Sequence, residues 1–277
     1  MKLSIITINY NNKDGLEQTI RSVSNQTIHD FEYIVVDGNS SDGSKEVLEK
    51  YGKLITRFIS EPDAGIYNAM NKGVRMATGD YCVFMNSGDE LYSKTTVEEI
   101  LKYNLQADFI EGITYVEALK QYRKPHKKIN ASFYIFGGNN YHQSSIISRE
   151  MLLRSPYDEK LKIASDLKFN FQCIVMNNCS YSTIDVVISR YEQGGRSATI
   201  EHDDEIRAIY TSFLPPRIIN DYLALEMLYS GPSKLFKPVM ANLFYSSWLR
   251  KISLFIKRKI LRRYNSNVKK FNDLMVK

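Results

Sequence analysis

The four residues Asn86-Ser87-Gly88-Asp89 form the turn in this sequence best equipped to do chemistry. They follow an apolar run, Tyr81 to Met85, that reads as a buried strand, and they carry a carboxylate with no apolar residue to hold it in a core. Parallel α/β sheets bind ligands at the carboxyl ends of their strands. A carboxylate delivered there can hold a divalent cation against a diphosphate. The alternative is an ordinary strand-to-helix turn in which Asp89 accepts from local amides. The segments before the turn bear on the choice.

Leu3 to Ile8 is a short β-branched run that reads as a buried parallel strand. Lys13 to Asn25 repeats apolar residues Leu16, Ile20 and Val23 at helical spacing. Further strands are expected at Phe31 to Val36 and Leu54 to Ser60, with helices at Lys45 to Tyr51 and Ile66 to Ala77. Strand–helix units at this spacing imply right-handed crossovers, a parallel sheet and helices on both faces. Each strand ends in polar residues, so Asn9/Tyr10, Asp37, Asp63 and Asn86/Asp89 should share one sheet edge. One such residue is commonly a helix cap, whereas several on one edge predict a crevice for a polar ligand. Neither GxGxxG nor GxxxxGK[ST] occurs, which weighs against dinucleotide oxidoreductases and P-loop NTPases.

Four motifs in order carry a family resemblance: Ser-Ile-Ile-Thr-Ile-Asn-Tyr-Asn at 4–11, Val-Val-Asp-Gly-Asn-Ser-Ser-Asp-Gly-Ser at 35–44, Gly-Ile-Tyr-Asn-Ala-Met-Asn-Lys-Gly at 65–73 and Ala-Thr-Gly-Asp-Tyr at 77–81. They resemble family 2 glycosyltransferases, in particular bacterial enzymes of capsule, exopolysaccharide or lipopolysaccharide assembly. The resemblance implies an α/β GT-A fold, a mostly parallel central sheet flanked by helices. It places a catalytic domain at about 1–200, with a donor half to about 105 and an acceptor half from about 106, and leaves 201–277 as a basic helical C-terminal extension.

By similarity, Asn9 and Tyr10 flank the base and ribose of a nucleotide-sugar donor, and Asp37 accepts from an imide N–H of the base. Uracil and guanine both offer that donor, so the contact is compatible with UDP or GDP and poorly matched to adenine; UDP is the first expectation. The family's Asp-Ser-Asp-Asp appears here as Asn86-Ser87-Gly88-Asp89, leaving Asp89 as the principal ligand for Mn²⁺ or Mg²⁺ and Asn86 as a sugar-phosphate contact. Such ions often complete their shell with substrate phosphates. His142 and Gln143 resemble an acceptor-side loop, for which a structural histidine is the alternative. The Glu-Asp motif appears as Ser165-Asp166, which makes Asp166 the expected general base of an inverting transfer; a helix N-cap is the competing reading. Gly194, Gly195 and Arg196 look like a glycine-serine loop near the phosphates, or else a surface loop. Phe133 to Tyr141, rich in aromatic residues, is expected to be a loop suited to stacking on a sugar.

Composition agrees with a folded protein: 277 residues, 43% apolar and 25% charged. The three cysteines, without CxxC spacing, indicate neither a disulfide framework nor a zinc site. Charge is divided unevenly. Ser233 to Phe271 holds eleven Lys or Arg and no acid, which leaves 26 basic and 31 acidic side chains elsewhere. Large apolar residues such as Trp248, Phe255 and Ile260 alternate with these cations, so the segment is expected either to dock on an anionic membrane or to pack as a terminal helical hairpin. Nucleic-acid binding lacks a motif. No cleavable signal and no apolar run of about eighteen residues is evident, so the expected location is cytoplasmic, peripheral at the inner membrane face. The acceptor implied is a saccharide or lipid-linked saccharide. The rival functions are a non-catalytic sugar-nucleotide-binding scaffold, since two motif carboxylates are missing, and a nucleotidyltransferase, which would carry a basic glycine-rich loop after the first strand.

Overall fold

The structure, a computed structural model, describes residues 2–135, 138–191 and 203–221. Strands β1 (Leu3–Asn9), β2 (Phe31–Asp37), β3 (Arg57–Ser60) and β4 (Tyr81–Phe84) alternate with helices α1 (Lys13–Ser24), α2 (Ser44–Tyr51) and α3 (Ile66–Met76). The four strands pair in parallel in the order β3-β2-β1-β4. The chain thus steps to one side of β1 and then to the other, which opens a crevice at the carboxyl ends of β1 and β4. Register sets Asn9 level with Asp37 at that edge.

The second half turns the sheet mixed. After β5 (Glu90–Leu91) and α4 (Thr96–Leu101) come β6 (Phe109–Val116), β7 (Gln121–Arg123), α5 (Ala131–Ile135), β8 (Ser145–Ser148), α6 (Arg149–Arg154), α7 (Ser165–Asn170), β9 (Tyr181–Tyr191) and α8 (Asp203–Phe213). β8 inserts antiparallel between β4 and β6, and β9 runs parallel to β6.

Alternation along β1 explains the two cores. Leu3 and Ile5 face Leu16, Ile20 and Val23 of α1 and Val47 and Leu48 of α2 on one side of the sheet. Ile6 and Ile8 face Met70 and Val74 of α3 and Met151 and Leu152 of α6 on the other. Burial on both faces is why these strands read as continuous apolar runs.

Three expectations change in detail. The predicted strand at 54–60 shortens to β3, because 52–54 closes a single 3₁₀ turn after α2. The predicted aromatic loop begins as α5, and its Tyr134 is a core residue whose ring meets Phe171 edge-on and whose carbonyl accepts from the Tyr210 hydroxyl at 3.2 Å. α8 belongs to the first compact unit, which ends at Pro215, because Ile209 and Tyr210 are buried. The second unit is Ile135–Gly137 and Pro216–Lys277; the basic segment from Ser233 lies outside the described residues.

One buried carboxylate stands apart from the crevice edge. Glu111 on β6 accepts from Asn140 Nδ2 at 2.7 Å and the Tyr181 hydroxyl at 2.8 Å. Burial pushes its pKa from 4.5 up to about 7, against the pull of those hydrogen bonds. The unfolded chain releases this proton at ordinary carboxylate pH while the folded chain keeps it, so this group's contribution falls as pH rises across that interval. Melting temperatures measured from about pH 4.5 to 8 should therefore show a shallower decline in Glu111→Gln than in wild type; parallel curves would contradict the assignment.

Candidate active site

Polar groups gather in two places along the sheet edge. At the first, Asp37 ends β2 with no exposed surface. Its Oδ1 accepts from Asn9 Nδ2 at 2.8 Å and Ser40 Oγ at 2.6 Å; its Oδ2 accepts from Ser40 N at 2.9 Å and Ser60 Oγ at 2.6 Å. Burial alone would raise its pKa, but these donors outweigh it and hold the group below the usual range. A carboxylate has about four acceptor positions, and all are taken. The direct base contact expected of Asp37 therefore finds no open position; the residue holds the 38–44 loop to the ends of β1 and β3. Asn9 is likewise turned inward, its amide nitrogen also near Ser40 Oγ and Ser44 Oγ, whereas Tyr10 is 62% exposed.

The second place is the turn after β4. Ser87 N donates to Ile8 O at 3.0 Å, which seats the turn against the end of β1. Gly88 adopts φ 101, a conformation that side chains rarely enter. Thr19, buried on α1, pins the turn from below: its hydroxyl donates to Asp89 O at 2.7 Å and accepts from Gly88 N at 2.9 Å. Asp89 is thereby aimed across the crevice.

His142 lies opposite, in a 3₁₀ turn between α5 and β8. Its Nε2 is 3.7 Å from Asp89 Oδ2 and 3.2 Å from Asn86 Nδ2, and its Nδ1 is 3.8 Å from Asp166 Oδ2. Gln143 Nε2 donates to Asp89 Oδ1 at 3.3 Å. The pair predicted for an acceptor loop thus stands directly against the predicted metal carboxylate. Side-chain exposures of 28% for His142, 12% for Asp89 and 18% for Asp166 describe a sheltered but open site.

Asp166 is not an N-cap. That position falls to Ala164, which has no side chain to cap with. Asp166 sits inside the first turn of α7, 3.3 Å from the hydroxyl of Tyr67, which also donates to Ile163 O. Burial raises the Asp166 pKa, and nearby His142 pulls it part of the way back. Burial would lower that of His142, but the hydrogen bond and charge of Asp89, with the charge of Asp166, outweigh it and raise it above the usual imidazole range.

The residues fit a divalent cation. Asp89 supplies a hard carboxylate, and Asn86 Oδ1 is buried without a hydrogen-bond partner beside it. No group of three or more His, Cys, Asp or Glu able to hold a metal by itself occurs among the described residues. The remaining ligands of such an ion would be diphosphate oxygens and water.

Sequence reasoning missed Thr19, Tyr67 and Glu205. A hydroxyl on the apolar face of α1 was the available sign for Thr19; Tyr67 stood inside a quoted motif. Glu205 gave no local sign, because it acts from α8. Lys72, inside the quoted 65–73 motif, donates to Pro62 O and pairs with Glu61. Gly194, Gly195 and Arg196 lie outside the described residues.

Residues 4–158 match the family described as Glycosyl transferase family 2. The chain belongs to that family. It is a glycosyltransferase with the GT-A fold. A PGL/p-HBAD biosynthesis glycosyltransferase of Mycobacterium bovis is 28% identical over 209 residues, 71% of this chain and 79% of the relative. A putative teichuronic acid biosynthesis glycosyltransferase of Bacillus subtilis, TuaG, is 34% identical over 38% of this chain and 42% of its own length. Among solved structures, S. aureus TarS 1–349 with UDP-GlcNAc superposes at a TM-score of 0.64 and 19% identity, covering 84% of this chain and 74% of that one. A mannosyltransferase of Pyrobaculum calidifontis with GDP-Man and Mn²⁺ does so at 0.58 and 15%, covering 94% and 80%.

In the glycosyltransferase, the segment just before Ser165-Asp166 is held by Glu205, whose carboxylate accepts from Lys162 N at 2.7 Å, Ile163 N at 3.0 Å and Ala164 N at 2.8 Å. These are the amides that lead into α7, capped from another helix. Glu205→Ala should lower stability by about 1–3 kcal/mol in denaturant titrations. An unchanged midpoint would mean that the 162–164 segment is held by other contacts.

Proposed function

We propose that this glycosyltransferase moves a sugar, with inversion, from a nucleoside diphosphate sugar, UDP- ahead of GDP-, to a saccharide or lipid-linked saccharide acceptor in surface polysaccharide synthesis. The observation that carries the reading is the placement of Asp89 and Asp166 on opposite sides of His142. One carboxylate faces the leaving group and the other the incoming hydroxyl. The acceptor oxygen forms a bond to the anomeric carbon as the bond to the diphosphate breaks, and its proton passes to Asp166 Oδ2. Burial, by raising the Asp166 pKa, makes that carboxylate a stronger base. A divalent cation, when bound, neutralises charge developing on the diphosphate. Asp89 and Asn86 would hold it. Asn9, Tyr10 and the Asp37-braced loop form the nucleoside end, and His142 with Gln143 orients Asp89. TarS with UDP-GlcNAc supports a nucleotide-sugar donor, and the names of the bacterial relatives support envelope glycoconjugates as products.

A non-catalytic sugar-nucleotide-binding subunit is the second reading, favoured by Asn86 and Gly88 where the family pattern has carboxylates. Turnover separates the two. Asp166→Asn keeps the shape of the side chain and removes its basicity, so sugar transfer should fall by about 10²–10⁴ while donor affinity stays unchanged. Wild-type turnover with full activity in Asp166→Asn would remove the base assignment, and binding without turnover in wild type would favour the subunit.

The basic segment from Ser233 is proposed to dock on anionic membrane. Among the described residues no helix is long and apolar enough to cross a bilayer. Each cation near an anionic surface contributes about 1 kcal/mol, and salt screens it. The full chain should sediment with anionic liposomes at low salt and release at high salt, while a truncation at Gly231 stays in the supernatant. Equal behaviour of both proteins would refute the docking.

A further inference from the structure

The short segment 140–144 brings His142 and Gln143 to Asp89, and strand β6 holds that segment at both ends. At its exit, Thr114 Oγ1 donates to Ser144 Oγ at 2.7 Å, and the same Ser144 hydroxyl is 2.7 Å from Ser189 Oγ of β9. All three side chains are buried. At its entry stands Glu111. Its Oε2 accepts from Asn140 Nδ2 at 2.7 Å, while Asn140 Oδ1 accepts from the Tyr134 hydroxyl at 2.7 Å. Asn140 is 1% exposed, so its amide is fixed wholly by protein groups. The backbone amide of Tyr141 also favours the ionised carboxylate.

Burying a carboxylate is costly, and an apolar side chain on β6 would avoid that cost. A carboxylate, however, accepts from several donors at once, which a neutral side chain of the same length cannot do. The donors to Glu111 lead to different places. Tyr181, which donates to Oε2 at 2.8 Å, is on β9 and also reaches His126 O at 2.9 Å. Asn140 and Tyr141 lead straight into His142, which stands between Asp89 and Asp166, and into Gln143, which donates to Asp89 Oδ1 at 3.3 Å.

We propose that Glu111 is a positioning residue for the transfer site: through Asn140 and Tyr141 it fixes the His142–Gln143 turn, and through that turn the direction of Asp89. The proposal rests on the reading of Asp89 as the carboxylate that faces metal and diphosphate. Glu111 acts only through its neighbours, in the way that outer residues of a metal site orient the inner ones.

Two measurements on the full chain separate aim from stability, both at pH 8, above the value of about 7 that burial gives Glu111. The first needs no metal. It follows the ring signal of His142 in a ¹H–¹³C correlation spectrum, identified by its loss in His142→Asn. Glu111→Gln, which keeps the size and replaces one acceptor oxygen with a donor, should displace this signal, and so should Asn140→Ala. Tyr181→Phe removes a donor to the same Glu111 oxygen but not one that leads to the turn, so it should leave the signal in place. His29, beside Phe31, should be unmoved throughout. The second measurement is calorimetry with Mn²⁺ and UDP. Glu111→Gln and Asn140→Ala should weaken Mn²⁺ binding to the UDP-loaded protein by about 10-fold, with metal-free UDP affinity unchanged. If neither variant moves the His142 signal, or if Tyr181→Phe moves it as far as they do, the positioning role falls. A displaced signal with wild-type Mn²⁺ affinity removes the link from the turn to Asp89. A wild type whose UDP binding ignores Mn²⁺ overturns the metal reading instead, and the His142 signal still decides the role of Glu111.

Discussion

Asp89 and Asp166 approach one imidazole from its two nitrogens, at 3.7 and 3.8 Å, and the rest of the site exists to keep them there. Two sheltered carboxylates at one crevice repel each other, and a low local dielectric strengthens the repulsion. His142 between them, its pKa held up by both, offsets that cost. Each carboxylate then has its own restraint. Thr19 and Gln143 hold the Asp89 turn, while Tyr67 and the Glu205-capped segment hold Asp166. Positioning of this kind supplies much of what an enzyme contributes when the reaction needs one proton acceptor and one place for diphosphate charge.

The departures from the family pattern have local physical explanations. Gly88 stands where the family pattern has an acid, and its φ of 101 is one that a side chain would strain. Asn86 removes another charge but keeps an oxygen, buried and unpartnered, beside Asp89. The site has therefore lost charge without losing all its oxygen atoms, and under the proposed reading the donor's diphosphate would supply the other ligands of a cation.

Much of the fold was legible because both faces of the first sheet half are buried, so β1, β2 and β4 announce themselves as apolar runs and α1 and α3 as amphipathic repeats. Polar residues at successive strand ends revealed the crevice. The direction of β8 was hidden, since two isoleucines, Ile146 and Ile147, look the same in a parallel or antiparallel pairing. Residue types also left the surroundings of Asp37 unread: a carboxylate at a strand end looks alike whether it faces solvent or four internal donors. Glu205 acts through tertiary approach, which no local spacing records.

Cooperation between metal and nucleotide at Asp89 is the claim on which the account turns, and calorimetry of UDP with and without Mn²⁺, on wild type and Asp89→Asn, measures it. The account predicts that Mn²⁺ tightens UDP binding to wild type, that the gain disappears in Asp89→Asn, and that Mn²⁺ alone binds weakly to both. UDP affinity in wild type that is the same with and without Mn²⁺ would contradict it.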